Sequence, residues 1–348
     1  MTGERPGTAE VRSPGYEAAT PEVSVVVATR DRARFLDGLL EALAAQRLAP
    51  GRFEVVVVDD ASTDGTWAGL GRAAGRSSLP VLGLRLGRNV GQGAARTAGV
   101  ARARGAVVAI TDDDCLPTPQ WLEQLLVPLA AVDGRLPAVV VQGRTEAWPA
   151  DRAGAGAWAR TVWVLGPTWL FETCNIAYRR ADLLAAGGFP GRLDAPADRR
   201  GKAVGEDALA GWRVVDTGAR LVYRAEALVH HRNLSASYPS WLASHWGKAR
   251  FPALVRRHRL GRRALSAGVF LGPRTAALEL ALAGAGLGTA LHRPWLSVAA
   301  APWLALAWPE ARSRPGAAGF RLLQLLVGDL VGVAALAVGS VRHRRVVL

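Results

Sequence analysis

The stretch AVVAITDDD, residues 106–114, decides the fold. Ala106 to Ile110 are apolar without polar alternation, the pattern of a central strand covered on both faces. Asp112, Asp113 and Asp114 then stand at the carboxyl end of that strand, the edge of an open α/β sheet where ligands bind. Three adjacent carboxylates repel one another, and a divalent cation is their natural partner. The competing reading is a solvated turn ahead of a helix, because Thr118 suits a cap and Pro119 a first helical position before Trp121, Leu122 and Leu125.

Upstream the same unit repeats. Val23 to Ala28, Phe53 to Val58 and Val81 to Leu86 are apolar runs of strand length. Leu36, Leu39, Leu40 and Leu43 recur at the spacing of one helical face, and an Ala-rich helix runs through Ala103. Alternating strands and helices predict right-handed crossovers and a largely parallel sheet, an α/β fold of Rossmann-like type. The strand ends carry Thr29, Arg30 and Asp31, then Asp59 and Asp60, then Arg88 and Asn89, then the acid triplet, so these loops converge on one rim.

Composition narrows the ligand. The 348 residues carry a formal net charge of +14, with lysine only at Lys202 and Lys248. The excess crowds into Lys248, Arg250, Arg256, Arg257, Arg259, Arg262 and Arg263, a stripe that favours a polyanion or an anionic membrane surface. Cys115 and Cys174 are too few for a disulfide framework and read as reduced core residues. The glycines at Gly91 and Gly93 do not complete a dinucleotide fingerprint, and no Gly-Lys-Ser/Thr phosphate loop follows. Hydride transfer and common NTPase chemistry are therefore disfavoured. Acids at two strand ends can hold a base and a ribose while a metal on the triplet bridges a diphosphate, so a nucleoside diphosphate fits the rim.

Five strings occur in order: VSVVVATRDR, VVVVDDASTDGT, GRNVGQGAARTAG, AITDDDCLPTPQWLE and GEDALAGWRVVDTGARLVY. Together they resemble the successive signatures of the inverting family 2 glycosyltransferases of GT-A fold, over roughly Pro21 to His231. The resemblance implies a nucleotide-sugar site at Ala28, Thr29, Arg30, Asp31 and Asp60, with Asn89, Gly91 and Arg96 from the third loop and its helix. It also implies that Asp112 and Asp113 contact the donor, and that Asp112 and Asp114 hold Mn2+ or Mg2+. Thr29 and Arg30 replace the Thr-Tyr pair common elsewhere in the family, which puts base stacking there in question.

Inverting transfer needs a carboxylate opposite the leaving diphosphate to take the acceptor's proton. By resemblance Asp207 is that base, and Glu206 orients the acceptor or holds Asp207. The bland reading is a helix start, where acids complement the dipole after Gly205. Trp148, Trp158, Trp163 and Trp169 crowd the segment before it, and Trp169 and Asn175 are candidate acceptor contacts. His230 and His231 end the last catalytic strand, expected over Arg220 to Val229, and either is a candidate to join the metal site.

Residues 1–20, rich in Gly, Pro, Glu and Thr, lack the apolar core of a secretion signal and read as a disordered tail. The catalytic domain then spans 21–233, and residues 234–265 form a basic amphipathic membrane-proximal segment. Residues 266–348 hold three apolar stretches, Thr275 to Leu291, Trp295 to Trp308 and Phe320 to Val341. The first two are predicted to form a membrane hairpin, and the third, with Asp329 in its middle, a further helix that is interfacial or uncertain. No QxxRW motif follows the base, which argues for single transfer. The expectation is thus a metal-dependent, non-processive hexosyltransferase on the cytoplasmic membrane with its catalytic domain in the cytoplasm. It would move sugar from a nucleotide-diphosphate donor to a lipid-linked or cell-envelope glycan acceptor. The alternatives are a nucleotidyltransferase of the nucleotide-sugar pyrophosphorylase type and, behind it, a basic nucleic-acid-binding protein. The latter does not explain aspartates on three of the four rim loops, so no nucleic acid is expected as a partner.

Overall fold

Strand and helix alternate as the periodicities require in the computed structural model, which describes residues 9–130, 137–152, 156–191, 205–313 and 317–348. The chain divides into two units, Met1–Ala153 with Thr161–Asn233, and Gly154–Arg160 with Leu234–Leu348. The first unit begins β1 (Ala9–Arg12), β2 (Val23–Thr29), α1 (Ala33–Ala44), β3 (Phe53–Asp59), α2 (Thr66–Arg76), β4 (Val81–Arg85) and α3 (Gln92–Arg102). It continues with β5 (Val107–Asp112), β6 (Cys115–Pro117), α4 (Trp121–Leu126), β7 (Val139–Ala147), α5 (Pro149–Arg152), β8 (Ile176–Arg179), α6 (Arg180–Ala185), α7 (Glu206–Asp216) and β9 (Arg220–His231).

A nine-stranded sheet has the order β1-β4-β3-β2-β5-β8-β7-β9-β6. The run β4-β3-β2-β5 is parallel. Beyond β5 the sheet is mixed, because β8 returns antiparallel to both β5 and β7 while β7 and β9 are parallel. From β2 the chain moves outward to β3 and β4, then crosses back to place β5 on the other side of β2. This reversal is a topological switch point, and the carboxyl ends of β2 and β5 flank the crevice it opens.

Val25 to Val27, Val55 to Val58 and Val108 to Ile110 are all fully buried, so helices cover both faces of the parallel core. Each such side chain contributes roughly 1.5–3 kcal/mol of burial. Leu36, Leu39, Leu40 and Leu43 supply the buried face of α1. Helix α3 lies unusually close: a Cβ at Gly99 would stand 2.6 Å from Val26 Cγ1 and 2.9 Å from Val58 Cγ2. Only glycine permits that approach, and it lowers Arg96, one turn earlier, onto the end of β5.

Residues 9–20 correct the expectation of a disordered tail over 1–20; residues 1–8 lie outside the described residues. Strand β1 pairs antiparallel with β4. Ser13 Oγ donates to the Leu79 carbonyl at 2.7 Å and accepts from Val81 N at 2.9 Å. Tyr16 is buried, with the Arg104 guanidinium 4.0 Å from its ring centroid. Low hydrophobicity misled here, because what orders the segment is an edge strand's backbone pairing and one aromatic.

The second unit holds α8 (Tyr238–His245), α9 (Phe251–Arg257), α10 (Pro273–Ala290), α11 (Ala301–Ser313) and α12 (Ala318–His343). The apolar stretches do not sort as expected. Among the described residues, α12 is the one helix long and apolar enough to cross a membrane. Trp295 to Trp308, expected as half of a hairpin, is split between a 3-10 segment, Pro294–Ala300, and α11. Within α12, Asp329 Oδ2 accepts from Arg274 Nε at 2.6 Å and from Trp303 Nε1 at 2.9 Å, so the acid in the middle of the helix is paired.

Glu54 is fully buried, and its carboxylate is held by Ser24 Oγ at 2.6 Å, Arg104 N at 2.6 Å and Arg104 Nε at 2.7 Å. Arg104→Ala strands that charge and should cost about 3 kcal/mol in urea unfolding. The loss should be smaller when Glu54→Gln is added, and limited proteolysis should reach residues 9–20 first.

Candidate active site

Register brings the predicted rim together. Ala28 pairs with Asp112 across β2 and β5, so Thr29 lies beside Asp113 and its Oγ1 donates to Asp113 Oδ2 at 2.7 Å. Asp113 and Asp114 are buried, and Asp112 is half-buried. Two arginines offset the triplet. Arg32 Nη1 lies 2.6 Å from Asp114 Oδ2 and 3.5 Å from Asp113 Oδ1. Arg96, itself buried, donates from Nη2 to Asp112 Oδ1 at 2.7 Å.

These pairs sort the protonation states. Burial pushes the Asp113 carboxyl up to about 7, against the opposing pull of Arg32 and Thr29. Burial also disfavours the charge on Asp112, but Arg96 outweighs it and holds Asp112 below the usual carboxylate range. Arg96 in turn is raised, since Asp112 and Glu206 more than offset its desolvation.

Asp60 turns inward to the third loop. Its two oxygens accept from Val90 N at 2.7 Å and Gly91 N at 2.9 Å, while Asn89 Oδ1 accepts from Gly91 N at 3.1 Å. Gly91 has φ +91°, a left-handed conformation that favours glycine. Asp31 takes the Thr63 N–H on Oδ1 at 2.7 Å, and that bond holds its carboxyl below the usual range. Arg30 lies against Asp31, its Nε 3.3 Å from Oδ2. Ala28 to Asp31, Asp60, Asn89 and Gly91 therefore frame one edge, with carboxylates fixed by backbone amides.

Glu206 and Asp207 open α7 after Gly205, whose φ is +76°. Glu206 is buried, 3.5 Å from Arg96 Nη1, and its Oε1 accepts from Gln92 Nε2. A Cβ at Gly93 would stand 2.3 Å from the Pro190 carbonyl oxygen and 3.2 Å from Glu206 Cγ, so glycine there admits both neighbours. Half-buried Asp207 accepts from Ala208 N at 2.8 Å. Burial first, and then the charge of Glu206, push its carboxyl well above the usual range, with Arg96 opposing. The base candidate thus belongs to the electrostatic cluster of Arg96 and Asp112.

Packing sets where α7 begins. The Phe171 ring covers Gly211, whose added Cβ would stand 2.1 Å from the ring, and Trp212 Nε1 donates to the Trp169 carbonyl at 2.8 Å. Trp169 is half-buried, edge-on to Phe171, and stays at the rim of this cluster.

Asn175 is corrected as an acceptor contact. It is fully buried, its Oδ1 accepts from Trp121 Nε1 at 2.8 Å, and its Nδ2 donates to the carbonyls of Arg144 at 2.7 Å and Ala227 at 2.8 Å. Both amide hydrogens are spent, and they pin the register break between Gly143 and Arg144 where β7 meets β9.

The acids fit a cation. Ligand atoms of Asp112, Asp114, Cys115 and His231 lie within 4.8 Å of one another. Pairing of β6 with β9 sets Cys115 opposite His231, which selects His231 over His230; the latter stands edge-on to the Trp148 ring. His231 Nδ1 is 2.9 Å from the Arg232 carbonyl, which only accepts, so Nδ1 carries the proton. The Nε2 lone pair then faces Asp114 Oδ1 at 3.5 Å, acceptor toward acceptor, an arrangement that calls for a proton or a cation between them. Burial pushes the Cys115 thiol above its usual range, and the carboxylates and imidazole of the group are donors suited to Mn2+ or Mg2+. Arg32 shows no role in the sequence, because its pairing with Asp113 and Asp114 arises only where the turn before α1 meets the end of β5. Gln92 carried no sequence signal at all, because its role arises only where α3 meets α7.

Residues 24–172 match the family described as Glycosyl transferase family 2. A dodecaprenyl-phosphate galacturonate synthase of Rhizobium johnstonii is 35% identical over 109 residues, 31% of this chain and 32% of that protein. A validoxylamine A glucosyltransferase of Streptomyces hygroscopicus subsp. limoneus is 38% identical over 136 residues, 37% of this chain and 28% of that protein. The matches thus span about a third or less of these relatives' own length. A mannosyltransferase from Pyrobaculum calidifontis, solved in complex with GDP-Man and Mn2+, superposes with a TM-score of 0.56 at 20% identity, over 96% of this chain and 89% of that one. The fold is accordingly of GT-A type.

Asn175→Ala orphans the Trp121 indole and two carbonyls and should cost about 2–3 kcal/mol. Its thermal midpoint should fall, with no rise in acceptor KM beyond any change in donor KM; a selective acceptor defect would restore the contact role.

Proposed function

We propose that this chain, which belongs to glycosyltransferase family 2 through its domain at residues 24–172, transfers a sugar from a nucleoside-diphosphate donor to a lipid-linked or cell-envelope glycan acceptor with inversion. The observation that carries this reading is the place of Asp207: on the first turn of α7, desolvated, beside Glu206 and within the field of the Arg96 and Asp112 pair. An acceptor oxygen attacks the anomeric carbon in line, the bond to the diphosphate breaks, and Asp207 takes the acceptor's proton. A rigid helix start holds that base in one geometry.

Thr29, Arg30, Asp31, Asp60, Asn89 and Gly91 frame the nucleoside edge, and Asp113 is tied to that edge through Thr29. Arg96 has a buried Nε and Nη1 with no hydrogen-bond partner, donors that suit anionic oxygens of the donor. Gln92 and Arg96 position Glu206, which raises the proton affinity of Asp207. Asp112, Asp114 and His231 would hold Mn2+ or Mg2+, which when bound neutralises charge on the departing diphosphate. Arg32, half-buried on Asp114, is the residue that must yield there.

The acceptor class rests on similarity to the dodecaprenyl-phosphate relative, together with the basic and apolar second unit. Single transfer rests on the missing QxxRW. We place the reaction at the cytoplasmic face of a membrane. A nucleotidyltransferase is less well supported, since no glycine-rich, lysine-bearing phosphate loop follows β2.

Asp207→Asn should lower kcat by about 10²–10⁴-fold while donor binding in calorimetry persists. Because the base must be ionised, wild-type activity is lost as pH falls through a raised pKa. Removing the Glu206 charge lowers that pKa, so in Glu206→Gln the acidic limb of kcat/KM should move to lower pH; an unmoved limb refutes the assignment of Asp207. For the metal, Asp114→Asn and His231→Ala should each weaken Mn2+ binding, read by electron paramagnetic resonance with and without a nucleoside diphosphate. Equal affinity in all three proteins removes the proposed ligand set.

A further inference from the structure

Helix α12 has two unlike sides. Leu325, Gly328, Gly332, Ala335, Leu336 and Gly339 are buried, at the spacing of one helical face. The opposite stripe, Phe320, Leu323, Val327, Leu330, Val338 and Val341, is exposed and wholly apolar. The buried side is tracked along its length by residues 238–256. Tyr238 Oη donates to the Gln324 carbonyl at 3.3 Å, and Arg256 Nη1 to the His343 carbonyl at 3.2 Å. Between them a Cβ at Gly328 would stand 2.3 Å from the Trp241 ring, and one at Gly332 2.7 Å from Lys248 Nζ.

That tracking layer is not built for hydrocarbon. Ser237, Ser240 and Ser244 on α8 and at its cap are exposed, as are Arg256 and Arg257 on α9. Lys248 sits at the level of Gly332, the fifteenth of the 26 residues of α12. At 1.5 Å per residue that is about 16 Å from the helix's end, so in a helix crossing a core of about 30 Å the ammonium and its polar layer would lie near the middle. Exposed Arg342 and Arg344 add to Arg256 and Arg257 at the carboxyl end of α12, a charge set complementary to acidic lipid headgroups.

We propose that α12 lies in the plane of an anionic lipid leaflet, its Phe320-to-Val341 stripe among the acyl chains and its 238–256 side toward the headgroups, and does not span the bilayer. The exposed Leu287, Leu291, Trp295 and Val298 extend the same apolar character through the end of α10 and the turn after it. This inference is independent of the transfer chemistry and needs no turnover to test.

Full-length protein is added to preformed, sealed phosphatidylcholine vesicles with and without phosphatidylglycerol, and flotation measures binding. Binding should need the anionic lipid, weaken at least tenfold with Leu323→Glu and Leu330→Glu together, and fall with salt. Protein carrying one added cysteine, Ala317→Cys or Val346→Cys, is reconstituted into vesicles and treated with a membrane-impermeant maleimide; native Cys115 and Cys174 are buried. In each vesicle population the two positions should label to the same extent before detergent. Labelling of one end from outside and the other only after detergent shows a spanning helix and overturns the proposal. So does failure to float with anionic vesicles, or dimerisation through the stripe without lipid binding.

Discussion

Like charge gathered at one sheet edge is the constraint on which the rest depends. Asp112, Asp113, Asp114, Glu206 and Asp207 occupy one electrostatic neighbourhood, and several of them are buried. Isolated, such charges would cost several kcal/mol each, so cations must reach them from elsewhere in the chain. Arg32 arrives from the turn before α1 and Arg96 from the first turns of α3. The second arrival depends on Gly99, which lets α3 settle against Val26 and Val58. Backbone packing in the core thereby decides the protonation of the carboxylates at the rim.

The same cluster explains how one neighbourhood sustains unlike carboxyl groups. Asp112 is kept ionised by Arg96, Asp113 is pushed up to about 7 by burial, and Asp207 is raised by burial and by Glu206. Groups of one chemical type thus differ in proton affinity because their neighbours differ, which is what separates a ligand from a base. The position of Asp207 is fixed from a distance by the Phe171 ring on Gly211 and by Trp212 on the Trp169 carbonyl. The loop holding Trp169 and Phe171 and the helix bearing Asp207 therefore form one packed piece.

The second unit meets the buried-charge problem in another way. Asp329 is bonded to Arg274 and Trp303, and Arg274 also contacts Glu310, so one charge from each of α10, α11 and α12 meets in a single group. Apart from Arg342 in its last turn, the exposed residues of α12 are apolar. Polarity inside and apolar surface outside reverse the usual arrangement of a protein in water, and a lipid environment reconciles them.

The sequence by itself determined the parallel core, its strand ends and the acid rim, because apolar runs and helical periodicity are local properties. AVVAITDDD alone places a strand and its three carboxylates, and the GlyGluAsp run places α7 with its acids. Tertiary structure decided everything that depends on residues far apart meeting. It brought His231 rather than His230 beside Asp112 and Asp114 through the pairing of β6 with β9, and set Arg32 and Gln92 against the acids. It turned Asn175 from an acceptor candidate into a pin inside the sheet and ordered residues 9–20 as an edge. It also paired Asp329, which alone had argued against α12 as a long apolar helix. Side-chain direction across strands and close approach at glycine are set by three-dimensional packing, and no local pattern in the chain encodes them.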